Sequence, residues 1–234
     1  MRDWLKSQRC RDSTTRHAHT DQAIGNAWTP AQKLTYLRQI VGTYALQGAP
    51  APPITKALEA AITEAKAQGD SRSTAVLYSQ LATVQANAGN VNAAHQSLAM
   101  SKAASATVPW NAHYYGAMAH GIMEHWGPAG QELAALKAQA AADPNSVPKD
   151  WLAALEGFQL MAQGKPADAL PILMAADTTN VLVMNRIAEA HAALGHAAVA
   201  AAWNNRVNSD YSLNLADFTN VNSRHRAKVE TASH

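Results

Sequence analysis

A single cysteine, Cys10, stands in the whole chain, so an intrachain disulfide is impossible and a cysteine-rich zinc ribbon is excluded. Set in a polar stretch, that thiol also lacks the buried, charged surroundings that lower a pKa for nucleophilic work. Aromatic residues make up only 6% of the sequence and charged residues 15%, with a formal net charge of +2. So weak a field cannot hold a polyanion along the molecule, and general nucleic-acid binding is not expected. The basic residues gather at the ends, with Arg2, Lys6, Arg9, Arg11 and Arg16 at the start and Arg224, Arg226 and Lys228 near the finish, and they read as solvated tails. No run approaches the ~20 apolar residues that span a bilayer, and "MRDWLKSQRC" lacks an apolar signal segment. The expectation is a soluble chain without a membrane span, cytoplasmic as written and periplasmic if its natural start lies further upstream. Also missing are strand-like patterns, a glycine-rich phosphate loop and a nucleophile-elbow serine, so neither a catalytic residue nor a cofactor is expected.

What the sequence does have is alanine. Apolar residues reach 47%, and runs such as "AALKAQAAA" and "AAVAAAW" favour helices that approach closely through small side chains. An all-α protein is expected. Gly48, Gly89, Gly127, Gly164 and Gly195 close successive apolar stretches at intervals of 31 to 41 residues. Glycine adopts the left-handed conformation past a helix end without steric cost, and a second helix restarts within a few residues each time. Prolines follow several of these glycines, in "GAPAPP", at Pro128 and at Pro166, where the first-turn amide has no intrahelical partner to lose.

The units therefore read as helical hairpins, pairing about 30–47 with 54–68, 71–88 with 91–104, 111–126 with 128–142, 148–163 with 166–176, and 180–194 with 196–208. A last helix is expected near 213–229, acting as a C-terminal cap within 211–234. Residues 1–27 form a polar N-terminal tail, and 28–210 hold the repeats. Pro171 falls just after the first turn of a second helix and is expected to kink it.

Three units carry a more specific pattern: Tyr78, Leu81, Ala82, Ala94 and Leu98 in one, Gly157, Ala169 and Leu173 in another, and Met184, Ile187, Ala188 and Ala200 in the last. In this spacing the chain resembles tetratricopeptide repeats, helix-turn-helix modules of about 34 residues. A small residue seven before the turn glycine (Ala82, Gly157, Ala188) lets the first helix approach its partner, and a second small residue (Ala94, Ala169, Ala200) completes the contact. The resemblance covers about 30–208 and implies a right-handed α-solenoid of about five stacked hairpins, with a concave groove lined by first helices. It also implies a noncatalytic scaffold or adaptor that holds a protein or peptide in the groove, in a bacterial assembly, with self-association through open ends as a further partner mode. Tyr114, Trp151, Phe158, Asn185 and Glu189 are the residues it places towards the groove.

The stretch most suggestive of chemistry is "WNAHYYGAMAHGIMEHWGP", Trp110 to Pro128. His113, His120 and Glu124 fall within about 40° of one another on one continuous helix, but seven residues rise about 10.5 Å, too far for His113 to share a metal with Glu124 or His120. The alternative function is thus a metal-dependent helical enzyme or metal-binding protein using His120 and Glu124, with His95 a third ligand that the sequence gives no reason to select. His191 and His196, five apart, point in different directions on a helical wheel. Counting from Gly127, His120 occupies the small-residue position of its unit, so either this hairpin is splayed with His120 hydrogen-bonded in the core or the groove is adapted there for binding, and replacing His120 with alanine is expected to stabilise the fold or leave it unchanged.

Overall fold

The computed structural model describes residues 29–46 and 51–209. The expected tail over 1–27, the turn at Gly48 and the capping helix near 213–229 lie outside the described residues. Among those described are ten helices and no strand: α1 Pro30–Leu46, α2 Ala51–Ala67, α3 Ser71–Asn87, α4 Val91–Ala104, α5 Trp110–Ile122, α6 Trp126–Ala142, α7 Lys149–Ala162, α8 Pro166–Met174, α9 Val181–Ala193 and α10 Ala197–Ser209. The helical boundaries follow the punctuation of the sequence. Asp70 caps α3 by accepting from the Ser73 amide at 2.9 Å, and Pro166 opens α8 in its first turn. Pro171 does not end α8, which continues to Met174.

Odd-numbered helices pack on the even-numbered helix that follows, giving the expected hairpins α1–α2, α3–α4, α5–α6, α7–α8 and α9–α10. Successive first helices also touch directly, α3 on α5, α5 on α7 and α7 on α9. Among the described residues every extensive contact joins helices one or two apart in the chain. One apolar core runs through α1, α2 and α3, with Leu34, Leu58, Ile62, Leu77 and Leu81; a larger one begins at Ala75 and Val76 and continues through α5 to α10. Buried hydroxyls tie α3 to its neighbours: Ser101 donates to the Ala75 carbonyl at 2.7 Å, and Thr83 to the Tyr115 carbonyl at 3.1 Å. In a dry contact each such bond avoids the penalty of an unsatisfied group, about 1–3 kcal/mol.

The structure corrects the reading of the third hairpin. Its first helix ends at Ile122, and the left-handed residue that reverses the chain is Glu124, at φ +62°, not Gly127. Gly127 lies in the first turn of α6. The Glu124 turn has the same hydrogen bonds as the glycine turns: His125 donates its amide to the His120 carbonyl at 2.9 Å, as Asn90 does to Gln85, Lys165 to Leu160 and His196 to His191. Counting seven back from Glu124 reaches Ala117, fully buried, and counting five forward reaches Ala129, also fully buried. The third hairpin therefore carries the same small pair as its neighbours, twelve residues apart, as Ala82 with Ala94, Gly157 with Ala169, and Ala188 with Ala200. His120 is not in that position, and splaying of the hairpin has no cause.

Candidate functional site

The residues expected to line a groove are mostly sealed between first helices. Tyr114 is 1% exposed, and its ring meets Trp151 edge-on at 4.8 Å and Tyr115 at 5.4 Å. Trp151 is buried and packs against Trp110 at 5.3 Å. Phe158 is buried beneath the Arg186 guanidinium, 4.7 Å from the ring centre, and lies so close to Gly121 that a side chain at that glycine would strike it. Asn185, 1% exposed, donates to Glu189 at 3.2 Å, and Arg186 pairs with the same carboxylate at 2.5 Å. Direct packing of α5 on α7 and of α7 on α9 covers the stripe that helical periodicity aimed at a groove. Glu189, at 28% side-chain exposure, is the member of the set that reaches solvent.

A different constellation gathers at the junction of the second and third hairpins. His95 on α4, His120 near the end of α5 and His125 just past the Glu124 turn each present a ring nitrogen, all within 4.8 Å of one another. The His95 and His125 rings stack at 5.0 Å with an interplanar angle of 18°, and His120 lies 6.0 and 6.4 Å from them. His120 is 7% exposed, and its Nδ1 is buried without a hydrogen-bond partner. Burial chiefly holds its imidazole below the usual histidine pKa; nearby Glu132 opposes this, while Lys102, His95 and His125 reinforce it. A neutral ring in that position carries a free lone pair, the form that ligates metals.

Glu124, the partner expected for His120, is not in the cluster; it is exposed and spent on the turn. His113 is also elsewhere, its Nδ1 donating to Glu132 at 2.6 Å, with Lys102 on the same carboxylate at 2.8 Å. His125 was invisible to helical-wheel reasoning because 100° per residue stops applying at a left-handed residue. The turn folds the residue after it back over the last helical turn, bringing positions five apart together. His191 and His196 show the same effect: they flank Gly195, and their Nδ1 atoms lie 3.2 Å apart instead of diverging. That second pair was the available signal. Aligning His-x4-His across Gly195 with His-x4-His across Glu124 exposes the hidden turn.

Comparison with protein-family models, with curated proteins and with solved structures returned no match.

Proposed function

We propose that the chain is a right-handed α-solenoid of the tetratricopeptide type and that it works as a noncatalytic scaffold or adaptor for a protein or peptide. The observation that carries this reading is the small-residue pair, twelve residues apart and bracketing a left-handed turn, which recurs in four hairpins at 82 and 94, 117 and 129, 157 and 169, and 188 and 200. One such pair permits one close hairpin; four in phase make the hairpins interchangeable modules whose stacking presents an extended surface. Contact between consecutive first helices supports the same reading. With Tyr114, Trp151, Phe158 and Asn185 buried, the partner meets the exposed edge of the first-helix face, where Glu189 supplies a carboxylate.

Affinity capture from the native host tests this, run in parallel with the wild-type chain and Glu189→Gln, which still accepts from Asn185 and Arg186 and whose circular dichroism must match the wild type. A partner held by the wild type and lost from the variant, with amide protection on binding confined to α3, α5, α7 and α9, is the expected result. Repeated capture of nothing, together with turnover of a small molecule, would overturn the scaffold reading. An experimental structure whose hairpins do not stack in register would overturn the solenoid.

A further inference from the structure

We propose that His95, His120 and His125 form a binding site for one divalent transition-metal ion of zinc-like chemistry, at the junction of the second and third hairpins. Imidazole nitrogen suits zinc, copper, nickel and iron rather than magnesium or calcium, and three histidines leave a fourth position for water or an added ligand. Tetrahedral ligation at about 2.1 Å places ligand nitrogens about 3.4 Å apart. The three rings already offer nitrogens no more than 4.8 Å apart. The remaining gap, on the order of 1.4 Å, is within reach of side-chain rotation by the exposed His95 and the half-buried His125.

Two observations separate this cluster from an accidental meeting of rings. His120 Nδ1 is buried with no donor or acceptor opposite it, an arrangement that costs stability in the absence of a partner. A metal ion on Nδ1 would resolve it. The second observation is the fourth repeat of the small pair, where His191 and His196 occupy the same places about their turn as His120 and His125. His95 directly follows Ala94 in the hairpin before the first histidine pair; the corresponding residue before the second pair, directly after Ala169, is Leu170, packed on the apolar core. The chain thus contains a three-histidine site and a two-histidine counterpart on equivalent scaffolding. Only the first has the donor count of a metal site with an open position.

The test uses the full chain, purified without an affinity tag, stripped with chelator and titrated with zinc chloride in competition with a chromophoric chelator. One equivalent of zinc is expected, with a saturable rise in melting temperature and an X-ray absorption spectrum of imidazole nitrogens at about 2.0 Å. His95→Leu, which copies Leu170, and His125→Asn should each weaken binding by about 10-fold or more, while His191→Asn leaves it within about two-fold. Both substituted histidines reach solvent, so these variants keep the fold, and matching circular dichroism establishes that they do. Absence of stoichiometric zinc, zinc binding unchanged in His95→Leu, or zinc binding lost in His191→Asn would each overturn the proposal. The outcome is independent of partner capture, because a scaffold without metal and a metal site without a protein partner give opposite results in the two experiments.

Discussion

At the level of single residues, the most informative side chain is one that resists its own backbone. A non-glycine residue in the left-handed region is strained by about 1–2 kcal/mol, and Glu124 bears that strain with its side chain exposed and in no hydrogen bond or ion pair with the described residues. Glu124→Gly is therefore expected to stabilise the protein by up to about 1 kcal/mol, raising the melting temperature by roughly 2–4 °C in a calorimetric scan. An unchanged or lower value would mean that the turn is held differently. Gly157 makes the opposite case: a methyl group there would sit 2.7 Å from Leu173 Cδ2 and 2.9 Å from its Cγ, in a core where Leu173 has no exposure. Gly157→Ala should cost about 1–3 kcal/mol by chemical denaturation, although alanine is the better helix former. These two positions also mark what the sequence could convey. Gly164 and Gly195 announced their turns because glycine is the ordinary occupant, whereas a glutamate in the same conformation leaves no compositional trace. Locating the turn three residues late, at Gly127, then misplaced His120, concealed Ala117 and Ala129, and separated His125 from its neighbours.

Between elements, polar contacts add to a small apolar cluster in joining α4 to the third hairpin. Helices α4 and α5 meet only lightly, whereas Lys102 of α4 and His113 of α5 converge on Glu132 of α6. Burial of Glu132 favours its protonated form, yet hydrogen bonds from His113 and Lys102 and the charge of Lys102 outweigh that and hold its pKa below the usual carboxylate value. A carboxylate whose folded pKa is depressed adds stability above its unfolded value, near 4.3, and loses it as the pH falls through the lower folded value. Glu132→Gln should accordingly destabilise the protein at pH 7 by about 1–3 kcal/mol, and its deficit against the wild type should shrink below about pH 4. A deficit that stays constant down to pH 3 would show that the carboxylate charge contributes nothing to the joint. Helix existence and pairing were legible at this scale from glycine, proline and periodicity. Which stripe each first helix buries was not, because Tyr114, Trp151, Phe158 and Asn185 are apolar or polar enough to suit a groove and are covered only through the direct contact of α5, α7 and α9.

Across the whole molecule, cohesion is passed from neighbour to neighbour. Among the described residues no extensive contact links helices more than two apart, and the apolar core is divided, with α3 contributing Leu77, Leu81 and Val84 to one cluster, Ala75 and Val76 to a second, and Ala82 and Ala86 to a small third one shared with α4 and α5. Stability in such an arrangement is a sum over adjacent units, so damage at one end spreads only as far as the shared interface carries it. Leu58 of α2 has no exposed surface and belongs wholly to the first cluster. Leu58→Ala removes about 2–5 kcal/mol of packing from that cluster alone. Native-state hydrogen exchange should then show faster opening of α1, α2 and the turns of α3 from Leu77 to Val84, with the amides of α7, α9 and α10 keeping wild-type protection. A uniform loss of protection from α1 to α10 would instead reveal a single cooperative unit, and the seam at α3 would have no energetic meaning. The same experiment run with zinc adds a directional check, since a metal bound by His95, His120 and His125 would clamp α4 to α5 and raise protection at that joint while leaving α1 and α2 as they were.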